Sequence, residues 1–188
     1  MMKRILKLTL VVAASLVAST AFGQKFAYIN SQELIFTMPE VDSVNSKLEL
    51  LEKDFVDNLE LMQVEFNNKL NDYQKNAATY TDAVRQLKEQ ELTEIQTRYE
   101  QFQQSAAQEM QNQQAILMQP VYEKANNAIQ KVAKANGFAG VFDLSAGPLV
   151  YFDETLMTNL MPLVYTELGI DPATAAAKIE AANAQPAQ

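Results

Sequence analysis

The sequence predicts a mostly helical α+β protein in which a long antiparallel helical hairpin, a coiled-coil arm, projects from a small body of short strands. Two observations carry this. From Glu40 to Gln119 there is neither glycine nor proline, and apolar residues return at steps of three and four. Beyond residue 23, strand-rich runs stand only near the two ends of the chain, at Phe26–Ile29 and after Asn136.

Residues 1–23 are set apart first. Lys3, Arg4 and Lys7 make a basic start, Ile5 to Ala18 are mostly apolar, and Ala21-Phe22-Gly23 offers small residues at the positions a signal peptidase reads. The apolar core is short for a membrane span, and Gln24 rather than cysteine follows the cut, so a cleaved leader and export are expected. Cysteine and histidine are both absent. That excludes disulfides and any metal site built on those residues. Removing the leader's three cations leaves 12 Lys and Arg against 23 Asp and Glu, a net charge near −11. Nucleic acid and anionic lipid are poor partners for such a chain.

Phe26-Ala27-Tyr28-Ile29 reads as a strand, and Asn30-Ser31 caps a short helix through Phe36. Residues 24–39 thus form the first part of the body. Pro39 opens the arm, residues 40–119, with Glu40 and Asp42 where the helix dipole favours negative charge. Its seam runs from Val41 through Leu48, Phe55, Met62, Phe66 and Tyr73, and returns through Val84, Leu87, Ile95, Phe102 and Met110. Glu91 fills one seam position between Leu87 and Ile95. The mean period is near 3.6, so little supercoiling is expected. A stripe this long cannot face water, and the nearest partner is the chain itself.

Asn76 to Asp82 is rich in capping residues and is expected to form the tip. The arms then run from Glu40 to Asn76 and from Asp82 to Asn136, about 55 Å and 80 Å long. Residues 120–169 return to the body. Pro120 is expected to kink or break the second helix, and Asn136-Gly137 to cap its end. Phe138–Leu144 and Leu149–Phe152 read as a strand hairpin around Ser145–Pro148, and Pro162–Leu168 as a short helix stopped by Gly169. Residues 170–188 are alanine-rich and expected to be a mobile or marginally helical tail. Both faces of the strands are apolar, Tyr28 against Ile29, Val141 against Phe142 and Val150 against Tyr151. A small sheet greasy on both sides needs cover, and copies of the same chain are the simplest, so a homo-oligomer is expected.

With FAYINSQ at the start, a long helical hairpin, a glycine followed by a VFD strand and a terminal helix ending LGI, the chain resembles the Skp/OmpH periplasmic chaperones from Lys25 to Ile170. The resemblance implies a homotrimer whose strands form a β-barrel body with three helical arms around a cavity. It implies an ATP-independent holdase that keeps unfolded outer-membrane β-barrel proteins from aggregating. Tyr28, Ile29, Val141, Phe142, Val150 and Tyr151 would then belong to the barrel and its trimer contacts. The departure is charge. Better-known family members are basic, with cationic tips and a proposed lipopolysaccharide site, whereas no Lys or Arg lies between Asn76 and Val84 here. Lipopolysaccharide or membrane-surface binding is therefore not carried over.

Seam aromatics and methionines read first as packing, which leaves the off-seam Leu50, Val56, Leu61, Val64 and Leu92 as candidate client contacts. Methionine on the flanks suits a promiscuous grip. Glutamates such as Glu49, Glu60 and Glu94 read as a solvated face rather than a catalytic pair, since no pocket or third group accompanies them. The glycines fit turns and caps, so no phosphate loop, cofactor or enzyme activity is expected. The alternative function is an exported coiled-coil spacer or adaptor, with a fully packed seam and polar flanks.

Overall fold

A computed structural model describes residues 24–147 and 151–184. The leader, the end of the tail, and Pro148, Leu149 and Val150 of the expected turn and second strand lie outside the described residues. The chain is mostly helical, with long helices and one small sheet. In order it runs β1 (Lys25–Ile29), α1 (Ser31–Thr37), α2 (Pro39–Asn76), a short 3-10 turn (Ala77–Thr79), α3 (Asp82–Ala135), β2 (Phe138–Asp143), β3 (Met157–Asn159), α4 (Met161–Leu168) and α5 (Pro172–Ala184). Two compact units result. Among the described residues one joins 24–34 with those from Ala125 onward, and the other is Ile35–Lys124.

In the first unit β1 is central, paired in parallel with β2 on one side and β3 on the other. Alternation sends Ala27 and Ile29 to one face, where they are buried, and Phe26 and Tyr28 to the other, where they are half-buried. The rest of this unit's core comes from Leu34, from Ala125, Ala128 and Val132 along the end of α3, and from Leu160, Val164 and Tyr165 at α4. Lys131 Nζ donates to Glu167 at 2.6 Å, tying α3 to α4.

Local signals place the helix ends. Asn30 caps α1, its Oδ1 accepting the Glu33 N–H at 3.1 Å, and its side-chain Nδ2 also donates to Glu33 Oε2 at 3.4 Å. Pro39 occupies the first turn of α2. Gly137 and Gly169 sit at φ 71° and 70°, the left-handed conformation in which a side chain is strained, and end α3 and α4.

One carboxylate links the start of the chain to β2. Asp143 accepts the backbone N–H of Ser31 at 3.1 Å and that of Ser145 at 3.0 Å, together with both serine hydroxyls. Partial burial pushes its pKa up, but the Ser31 and Ser145 hydrogen bonds outweigh this and hold it below the ordinary aspartate value.

Four expectations are corrected. Among the described residues there is no strand hairpin after Asp143. Tyr151 and Phe152 are not in a strand, and the third strand is the unforeseen Met157–Asn159, pairing with β1 rather than β2. Parallel pairing to β1 needs a long connection, and the Asp153 side chain turns it by accepting the Thr155 N–H at 2.9 Å. β-propensity at Tyr151 and Phe152 yields to this context. The sheet is therefore open within one chain, not a closed barrel.

Of the kink or break expected at Pro120 the break is absent, since α3 continues through it to Ala135. Leu117, Val121 and Ala125 on either side are half-buried or buried, and this packing offsets the hydrogen bond that proline removes. The region after residue 170 contains a 13-residue helix. Asp171 caps it, accepting the Thr174 N–H at 2.9 Å, Pro172 opens it, and Ala175 is buried. Good helix-formers with a cap and one buried contact are enough to order it. The fourth correction concerns the arm seam and is described below.

Asp143→Ala should lower stability by about 1–2 kcal/mol in urea unfolding, because it strands donors of Ser31 and Ser145. In the wild type the folded pKa of Asp143 lies below the unfolded value, so below about pH 4 the unfolded chain binds the extra proton. The contribution of Asp143 is complete above that range and lost as pH falls through the folded pKa. Asp143→Asn should flatten this part of the pH–stability curve, and an unchanged acid limb would contradict the assignment.

Candidate interaction surface of the helical arms

The second unit is built on α2 and α3, about 57 Å and 81 Å long at 1.5 Å per residue. Cross-helix partners fix their direction. Glu40 pairs with Lys124, Phe55 stacks edge-on against Phe102 with centroids 5.9 Å apart, and Arg98 donates to Glu65 at 2.5 Å. Further along, Lys69 meets Glu91 at 3.0 Å and the Tyr73 hydroxyl donates to Glu89 at 2.5 Å. Partner numbers fall on α3 as they rise on α2, which defines an antiparallel hairpin. The chain reverses through Ala77–Thr79, where Thr79 Oγ1 donates to the Asn76 carbonyl at 2.7 Å.

On α2 the seam expected from sequence is the buried one. Val41 and Val44 are buried, and Leu48, Leu51, Phe55, Leu59, Met62, Phe66, Leu70 and Tyr73 are half-buried. On α3 Ile95 and Ala106 are buried, with Tyr99, Phe102 and Met110 half-buried. Val84 and Leu87 depart from expectation, for both are exposed. At 100° per residue Lys88, seven residues before Ile95, lies within about 20° of the seam, whereas Leu87 lies about 80° off it. Lys88, Glu91 and Leu92 take the inward positions. Glu91 is held by Lys69 and by Lys88 at 3.2 Å, and these two cations, Lys69 foremost, lower its pKa. The seam near the tip is thus closed by an ion cluster rather than by leucine.

The off-seam candidates divide. Leu50 and Leu61 are 66% and 67% exposed, Val64 and Val56 55% and 46%. Leu92 is half-buried on the inward side and is a packing residue first. Ile116 at 61% was missed because it sits in the continuous run Ala115–Met118, where periodicity does not single out one face. Two open grooves follow the hairpin. One of about 420 Å³ is lined by Met62, Phe66, Ile95, Tyr99 and neighbouring glutamines, and one of about 340 Å³ by Glu40, Val44, Ile116, Pro120 and Val121.

In the other unit, the residues expected in the body separate by role. Ile29 is packed within its own chain, and Val141, opposite Ala27, is half-buried. Phe26 and Phe142 lie with ring centroids 5.8 Å apart, and Tyr28 and Phe152 4.9 Å apart. This aromatic face is only partly covered, for Phe142 is 42% exposed, and Tyr151, in the segment before β3, is 81% exposed. Leu156, unforeseen, is almost as exposed as Tyr151. Among the described residues no group of acidic side chains is placed to hold a metal, and no helix is long and apolar enough to cross a membrane.

A long antiparallel helical hairpin in one unit and a small parallel sheet assembled from both chain ends in the other define a mostly helical α+β protein. A family model described as outer membrane protein (OmpH-like) matches residues 25–168, and the chain belongs to that family, the periplasmic chaperones of the Skp/OmpH type. Helix α5 lies beyond the match. No curated protein matches the chain significantly.

Ile95→Ala should destabilise the protein by about 2–4 kcal/mol through the cavity it leaves. Leu87→Ser, on the exposed side, should change stability by no more than about 0.5 kcal/mol. Urea unfolding followed by circular dichroism distinguishes them; equal losses would return Leu87 to the seam.

Proposed function

We propose that the protein is an exported, ATP-independent holdase that binds unfolded outer-membrane β-barrel proteins between helical arms and prevents their aggregation. The observation that carries this is the row of large apolar side chains on the arms that the hairpin seam leaves in water, Leu50, Leu61 and Val64 foremost. A spacer or adaptor would gain nothing from exposing them, whereas a holdase uses many weak apolar contacts at once. Family membership supports the same reading.

The proposal includes a homotrimer. The open sheet leaves the outer edges of β2 and β3 unpaired among the described residues, and its aromatic face is half covered. Unpaired edges and an exposed aromatic patch are features that association removes. Tyr28, Phe142 and Tyr151 are the residues that a neighbouring copy would cover, while Ile29 and Val141 shape the body from within. Leader cleavage at residue 23 belongs to the same reading, because the family acts in the periplasm.

A stoichiometric amount of the protein without nucleotide should suppress aggregation of a urea-diluted outer-membrane β-barrel protein, followed by light scattering. No suppression at several-fold excess would refute the holdase. Phe142→Asp should convert the assembly to monomers by multi-angle light scattering. An unchanged mass would remove Phe142 from the contact.

A further inference from the structure

The exposed apolar residues of α2 are not scattered. Leu50, Asp54, Asp57, Leu61 and Val64 follow one another at steps of four, three, four and three, so they form one stripe. The stripe lies on the side of α2 opposite the seam residues Leu51, Phe55, Leu59 and Met62. Its apolar members are more than half exposed and its two carboxylates are exposed. Glu60 flanks it, and no Lys or Arg occurs between Lys53 and Lys69. Lys53, at the upper end, is the cation nearest in sequence, and the next carboxylate, Glu65, is engaged by Arg98. The surface is therefore apolar at both ends and anionic in the middle.

The spacing selects a partner. Leu50 and Leu61 stand eleven residues apart on the helix, about 16 Å, with the carboxylates about 6 Å and 10 Å from Leu50. On an extended chain, residues on one side recur every 6.6 Å or so, and positions i and i+4 are about 13 Å apart. Side-chain reach covers the difference. An extended segment with apolar residues at i and i+4 and Lys or Arg at i+2 would seat both apolar groups against Leu50 and Leu61 and bring its cation to Asp54 and Asp57. A carboxylate at i+2 would meet two like charges instead.

From this we infer that the outer stripe of α2 binds extended, unfolded polypeptide segments of the pattern apolar–basic–apolar, and discriminates against acidic ones. The inference rests on the holdase reading and names the client chemistry. Apolar contact supplies general adhesion, and the carboxylates supply the choice of segment.

The test uses the full-length mature protein and three labelled peptides that repeat Leu-Thr-X-Thr-Leu, with X as Lys, Gln or Glu, read by fluorescence anisotropy. At low salt the Lys peptide should bind about three- to tenfold tighter than the Glu peptide, the range expected of two exposed charge contacts. The gap should close toward unity at 1 M salt, where the Debye length falls to about 3 Å. Asp54→Asn/Asp57→Asn should abolish the preference while leaving the Gln peptide's affinity within about twofold, and Leu61→Gln should weaken all three. Circular dichroism confirms that the variants keep their helix. Equal binding of Lys and Glu peptides, or a preference that survives in the double variant, would overturn the inference while aggregation suppression persists. Loss of both peptide binding and suppression would instead remove the holdase itself.

Discussion

Everything in the arm depends on burying one apolar stripe of α2 against one of α3. A helix of 38 residues left alone would expose that stripe along its whole length, and isolated helices draw little stability from propensity. The pairing removes Leu51, Phe55, Leu59, Met62 and their opposites from full contact with water. The cross-helix ion pairs add less. All are partly exposed, and such pairs contribute about 0.2–1 kcal/mol each. Their role is register: Lys69 with Glu91 and Arg98 with Glu65 accept only one alignment of the two helices.

The body follows a different rule. Three short strands drawn from both ends of the chain hold together because β1 is shared, with β2 and β3 hydrogen-bonded to its two edges. The Asp143 carboxylate adds a cross-link between residues more than a hundred positions apart. It satisfies backbone donors at the start of α1 and just after β2, where the chain would otherwise leave them unpaired. The unit is small and its aromatic face remains partly wet, which is the physical ground for the proposed association.

The proposed function draws on the residues these two solutions leave over. Once the seam has consumed its leucines and phenylalanines, the remaining exposed apolar residues of the arm cannot be explained by hairpin packing. On α2 they share a stripe with the exposed carboxylates of Asp54 and Asp57, a surface unlike the neutral flank of a spacer.

The sequence by itself determined helices α1 to α4, their ends and the place of reversal. Capping by Asn30, Pro39 at a first turn, and Gly137 and Gly169 at left-handed stops act within a few residues and need no distant partner. The seam of α2 was equally legible, since a single period runs through it. Only the tertiary structure decided which strand takes the second edge of β1, because Met157–Asn159 is too short to show a period and Leu149–Phe152 has the stronger propensity. It also decided that Leu92 turns inward while Leu87 faces water, that Pro120 is absorbed into a continuous helix, and that the alanine-rich end forms a capped helix. Each of these outcomes depends on what lies opposite in space, and that is fixed by packing between residues far apart in the chain rather than by the preferences of neighbours.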